Sequence, residues 1–206
     1  MPVLPVPLPS IEIVAATQGM SKGLRQTSGI QIAVRPELSL GSFFIGGGYK
    51  NVTSTTADGE AEIMVGLRHG LAGFDLSTTA GYRWNTGAPS SVDRDAFEFT
   101  AAASRHFGPI TSRVSLTYSP DDLGATRRSL FVEAGAAANL IAGISVSAAA
   151  GRRSRDGAPN YSAFNAGASY GIAPHITLDV RYYGTDRGAL GDIYRDRVVA
   201  SLRARF

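Results

Sequence analysis

The chain has 206 residues, no cysteine, 44% hydrophobic residues and a formal net charge of +3. Without cysteine there are no disulfide staples, thiol catalysis or cysteine-based metal centres. No run of about 18 apolar residues is present that would cross a bilayer as a helix. Lys22 and Lys50 are the two lysines, and the arginines are spread along the chain instead of forming one basic patch. That argues against a nucleic-acid footprint.

Met1 to Ser10 carries proline at positions 2, 5, 7 and 9. Each proline removes a backbone donor, so this stretch is expected to be an extended, polyproline-like tail, residues 1–10, ahead of a barrel at 11–206. No basic segment followed by a long apolar core opens the chain, so an exported form would be the mature one.

From Ile11 onward twelve runs alternate between apolar and polar residues, the signature of strands with two unlike faces. They begin with Ile11–Met20, Ile30–Arg35, Ser42–Asn51 and Glu60–Arg68. The clearest is Phe74–Trp84, where Phe74, Leu76, Ala80, Tyr82 and Trp84 oppose Asp75, Ser77, Thr79 and Arg83. Ala96–His106, Thr111–Tyr118, Leu130–Ala138, Ile144–Arg153, Tyr161–Tyr170 and Ile176–Tyr183 repeat the pattern. The twelfth run, Arg197–Phe206, sets Val198, Ala200, Leu202, Ala204 and Phe206 against Arg197, Ser201, Arg203 and Arg205.

Connections alternate in length. Short ones are expected at Pro36–Gly41, His69–Gly73, Gly108–Pro109, Asn139–Gly143 and Gly171–Pro174. Longer polar ones are expected at Ser21–Gly29, Val52–Gly59, Asn85–Asp95, Ser119–Ser129, Ser154–Asn160 and Gly184–Arg195. Short turns at one end and long loops at the other are the arrangement of outer-membrane barrels, with both termini on the periplasmic, short-turn side. Aromatics fall in two bands. Tyr49, Tyr82, Trp84, Phe97, Phe99, Tyr118 and Tyr182 lie near the loops, and Phe43, Phe74, Phe107, Tyr170 and Phe206 lie near the turns. A membrane barrel needs such girdles at its two interfaces, whereas a soluble sandwich would centre its aromatics in mid-strand. The expectation is a twelve-stranded antiparallel transmembrane β-barrel, closed by Ile11–Met20 against the last strand. A soluble β-sandwich or lipocalin-like binder is the alternative fold.

The polar face supplies the candidate pore lining: Arg35, Lys50, Glu62, Arg68, Asp75, Arg83, Glu98, Arg113, Glu133, Arg153, Asp179, Arg181 and Arg203. Its excess of arginine predicts a weak preference for anions if the lumen is open. The other reading is an ion-paired, closed interior. Arg127, Arg128 and Arg152 gather on loop-side hairpins, where guanidinium forks suit phosphate, so lipopolysaccharide is the expected ligand there. Ala134, Ala136, Ala138, Ala148, Ala150, Ala166 and Ala168 give a small-residue outer surface on which a second copy or a partner protein could sit. Gly46, Gly47 and Gly48 are read as strand bends. The histidines, His69, His106 and His175, lie beside short turns, away from external lipid. No metal-ligand spacing, phosphate loop or paired-carboxylate signature appears. Neither an enzyme nor a cofactor is expected.

An apolar face, a polar face and a terminal Phe206 resemble the C-terminal signal by which outer-membrane barrels are read by their assembly machinery. Gln18, Gly19, Met20, Ser21, Lys22, Gly23 and Leu24, with Gln26 and Thr27, resemble the first loop of the TorF-like group of small proteobacterial porins. Tyr183–Gly184–Thr185–Asp186 and Arg197–Phe206 resemble its last hairpin. The resemblance implies a twelve-stranded barrel with a pore for small solutes, and names no substrate. The proline-rich leader departs from it. A non-conducting structural or partner-binding barrel is the alternative function.

Overall fold

A computed structural model describes residues 6–54, 57–91, 93–141 and 143–206. Its strands are β1 (Leu8–Ala16), β2 (Met20–Ser21), β3 (Leu24–Arg25), β4 (Gln31–Leu40), β5 (Phe43–Ser54), β6 (Ala57–Leu71) and β7 (Phe74–Thr86). They continue with β8 (Asp95–Phe107), β9 (Ile110–Asp122), β10 (Arg127–Asn139), β11 (Ile144–Arg155), β12 (Tyr161–Ala173), β13 (Ile176–Thr185) and β14 (Arg197–Arg205). Among the described residues, twelve of these close into one antiparallel barrel, β1 pairing with both β14 and β4, while β2 and β3 form a separate hairpin.

The seam is where the first and last runs meet, as expected. Glu12 lies opposite Arg205 and Ala16 opposite Ser201. The Ile11 and Phe206 backbones exchange hydrogen bonds of 2.9 and 3.0 Å. Short connections at 41–42, 72–73, 108–109, 140–143 and 174–175 lie at the same end as Leu8 and Phe206, and the longer ones lie at the other.

Several boundaries differ from the sequence reading. The first run, expected as Ile11–Met20, leaves the wall after Ala16, with Met20 in β2, and the expected Ser119–Ser129 loop narrows because β9 runs to Asp122 and β10 starts at Arg127. Leu8, Pro9 and Ser10 are not tail: they pair with Ser39, Leu38 and Glu37 of β4, and Met1 to Pro5 lie outside the described residues. The Pro9 nitrogen points to the β14 side, where pairing reaches only to Ile11, so its missing N–H costs no ladder bond. Pro36 does not open a turn either. It lies opposite Ile11 inside β4, and the β4–β5 ladder skips from Val34–Tyr49 to Glu37–Gly46. The missing donor is absorbed by a gap beside Gly47 and Gly48. Val52–Gly59 is not a long loop, because β5 runs to Ser54 and β6 starts at Ala57. Thr55 and Thr56 lie outside the described residues. A strand that continues above an apolar band needs no apolar face, so polar composition there mimics a loop.

The two faces are the inverse of a soluble fold. Ile63, Val65, Phe97, Phe99, Val114 and Val180 are each 45–56% exposed on the outside. The outer aromatics cluster near the loops, Tyr82 against Trp84 at 5.8 Å and against Phe97 at 5.1 Å. The alanines of β10–β12 form a continuous outward band, Ala134 opposite Ala150 and Ala136 opposite Ala148, with Ala148 in turn opposite Ala166. A sandwich or lipocalin would put these apolar residues inside. In a bilayer, Val180→Arg on the outer face of β13 should lower stability by about 2–4 kcal/mol. Ser115→Arg on the lumen face should cost far less, measured by urea unfolding in lipid vesicles.

Candidate functional site: a barrel lumen filled at its loop end

Closing the sheet turns the polar parity of every strand inward. The lumen is not uniform along its length. Most buried side chains, including Leu24, Thr27, Ala57, Arg83, Ser119, Asp122, Tyr161 and Tyr194, lie at the loop end. The turn end is hollow.

The filling begins in the first loop. After Thr17, whose N–H still bonds the Ala200 carbonyl of β14, the chain leaves the wall and makes the β2–β3 hairpin. Lys22 and Gly23 have φ of 49° and 82°, the two positive values a tight two-residue hairpin turn requires. The hairpin lies inside the barrel. The Tyr161 hydroxyl of β12 donates to the Lys22 carbonyl at 2.6 Å. Gly23 presses on Ala163, where an added Cβ would sit 2.3 Å from the alanine methyl. Leu24 completes a small core with Tyr161, Ala163 and Tyr194. Thr27 is fully buried, receiving the Gly19 N–H at 2.7 Å and donating to the Gly29 carbonyl at 2.6 Å.

Against the hairpin lies a charge network. Lys22 pairs with Glu98 of β8. Arg83 of β7 bonds Glu98 at 2.9 Å and Asp122 at 2.8 Å, and lies 3.6 Å from Glu60. Lys50 pairs with Glu60 at 3.0 Å. Asp122 also accepts from Arg153 and from Ser129, both at 2.6 Å. The expected lining residues Lys50, Arg83, Glu98 and Arg153 are thus brought together, but into a packed cluster. Arg35 and Glu62 line a cavity of about 140 Å³ beside them, together with Lys22.

Below the hairpin, cavities of about 370, 440 and 680 Å³ share Arg113, which lines all three. Glu133 and Arg181 line two of them. Arg181 is held by Asp179 at 3.0 Å, by Asn165 at 2.8 Å and by Ser147 at 2.8 Å. Arg68 forms two bonds to Glu37, of 2.7 and 2.6 Å, with its guanidinium 3.9 Å over the Phe44 ring. Arg203 lies 3.6 Å from Glu12, which Arg35 also reaches at 3.1 Å. Asp75 sits at the open turn end, 3.6 Å from His106. The expected lining residues thus border these cavities or are bonded to residues of the inner network, and most have acidic or basic partners. The expected excess of positive charge is smaller than the sequence suggests, because Glu12, Glu37 and Asp122 join the inner face. Arg113 has no ion pair among the described residues.

Of the expected lipopolysaccharide residues, one is exposed and two are ion-paired at the loop end. Arg127 is exposed with φ of 56°. Arg128 pairs with Asp156 at 3.0 Å, and Arg152 reaches Asp186 at 3.5 Å and Ser162 at 3.1 Å. The Ser162 N–H donates to Asp186 and holds that carboxyl below its usual range. Their loop-side neighbours Arg153 and Arg155 point inward instead, Arg155 to the Tyr194 hydroxyl at 2.8 Å.

Sequence reasoning missed Lys22, Asp122, Tyr161 and Tyr194. Asp122 has outward parity, counted from Val114 and Leu116. A register shift between Arg127 and Ser129 turns its carboxylate inward, as a bulge does. Nothing in the alternation signals that. The lysine of a Lys-Gly pair between short extended runs does signal a hairpin, though not where the hairpin goes.

Solved structures share this architecture. The chain matches the KdgM porin with a TM-score of 0.65 at 12% identity, covering 96% of this chain and 99% of that one. It matches the KdgM porin in complex with disordered oligogalacturonate at 0.66 and 9%, with the same coverage of both chains. NanC porin matches at 0.61 and 10%, covering 95% and 97%. At such identities the likeness is one of fold. The chain is a porin-like, twelve-stranded closed barrel. No protein-family model matches it, and no curated protein does.

Asp122→Ala should cost about 3–5 kcal/mol, since it strips the buried Arg83 and Arg153 of a shared carboxylate. The exposed neighbour Asp121→Ala should be near neutral in the same unfolding measurement.

Proposed function

We propose that the chain is an outer-membrane porin for passive diffusion of small solutes, with a weak anion preference and both termini in the periplasm. The supporting observation is the hollow, polar turn-side lumen, where Arg113 lines all three cavities without an ion pair among the described residues, and Glu133 lines two of them. A low-dielectric wall around a cation only partly offset by Glu133 concentrates anions. Preference is weak because the other guanidiniums in this half are mostly ion-paired. The fold shared with KdgM and NanC porins supports the porin reading, and the first-loop and last-hairpin resemblance supports membership in the TorF-like group. In this setting Arg127, Arg128 and Arg152 meet lipopolysaccharide phosphates, and the strand ending at Phe206 is the one read by the assembly machinery.

The packed loop end favours a second reading, a non-conducting structural barrel. Single-channel recording in a planar bilayer with a salt gradient separates the two. Discrete steps with a reversal potential on the anion side support the porin, and Arg113→Glu should move that potential toward cations. A cation-selective wild type removes the charge assignment, and stable insertion with no conductance favours the structural barrel. Replacing Arg127, Arg128 and Arg152 with alanine should weaken lipopolysaccharide retention during purification; unchanged retention removes that site.

A further inference from the structure

We propose that the β2–β3 hairpin is a built-in plug, latched across the loop-side mouth by Lys22, which a solute must displace to cross; this rests on the porin reading above.

The placement of the hairpin carries the argument. It leaves the wall between β1 and β4, yet its tip meets Glu98 on β8, four strands from β4 in one direction. It also meets Tyr161 and Ala163 on β12, three strands from β1 in the other. A segment touching both walls spans the lumen. Lys22 lines the cavity of about 140 Å³ on one side of the hairpin and the cavity of about 370 Å³ on the other. It is therefore part of the partition between them.

The way the hairpin is held suits release. At its tip the anchors are the Lys22 ion pair, the Tyr161 hydrogen bond, an Arg25–Asp192 ion pair and the packing of Gly23 and Leu24. Its base is tied by the Thr53 N–H to the Gln26 carbonyl at 2.8 Å and by Arg197 to Gln18 at 3.1 Å, where a hinge would lie. No barrel strand pairs with β2 or β3; their ladder is only Met20–Arg25 and Ser21–Leu24. The wall does not depend on them. Lys22 also sits at positive φ, which disfavours a residue with a Cβ and is offset here by its contacts. Glu98 keeps Arg83 at 2.9 Å if Lys22 leaves, so opening the latch strands no buried carboxylate.

The test is planar-bilayer conductance of the full chain in three forms: wild type, Lys22→Ala combined with Tyr161→Phe, and a form with residues 18–29 replaced by a short Gly/Ser turn. Folding of each is checked first by unfolding in vesicles. The expected result is small or rare wild-type steps, a rise in open time in the double variant and several-fold larger steps in the shortened form. Equal conductance in wild type and shortened barrels overturns the plug and leaves the porin reading standing. No conductance in any form overturns both, because the barrier then lies in the barrel itself. Should the shortened form fail to fold, the double variant decides, since it leaves every barrel strand in place; wild-type gating in it overturns the latch.

Discussion

A backbone that crosses hydrocarbon finds no water to satisfy its N–H and C=O groups, so each strand must be paired on both sides. The barrel follows from that constraint. Twelve strands supply twelve ladders only if the first meets the last, and the β1–β14 seam, sealed by the Ile11–Phe206 exchange, is the joint that removes both edges. The two prolines in the wall show how tightly the rule binds. Pro9 points its nitrogen where no neighbour continues. Pro36 sits at a gap in the ladder beside two glycines. Each occupies a place where a missing donor costs little.

Closure then divides the side chains. One parity meets lipid and is free to be large and apolar. The other meets itself across a confined space. Charges there cannot be left alone cheaply, since burial removes their hydration. At the loop end, where Asp122 takes four donors from Arg83, Arg153, Ser129 and the Leu123 N–H, the charges pack into a network and the first loop fills the remaining space. At the turn end the cavities are larger, and Arg113 makes no ion pair among the described residues, with Glu133 lining two of the same cavities. The same wall therefore encloses a packed mouth and an open vestibule.

Much of this was legible from alternation alone. Each of the twelve wall strands overlaps one of the runs that the period of two marks out. What alternation misjudged were places where composition and backbone part company: the polar ends of β5 and β6, which pair regardless of side chain, and the start of β1. The loop-side arginines show a similar limit. Arg152 and Arg153 are neighbours in sequence, yet one faces outward toward Asp186 and the other joins Asp122. Clustering along the chain says nothing about which side of the wall a residue takes.

By itself the sequence determined the strand count, the lipid and lumen faces and the end at which the termini meet. Those properties are local, fixed by the two-residue period and by turn chemistry. Tertiary structure alone decided how full the lumen is. Asp122 enters the network through a one-residue register shift, and Lys22 reaches Glu98 because a loop folds back across the barrel. Both depend on which residues face each other across a closed space, a relation between positions 76 residues apart in the case of Lys22 and Glu98 that no local period encodes.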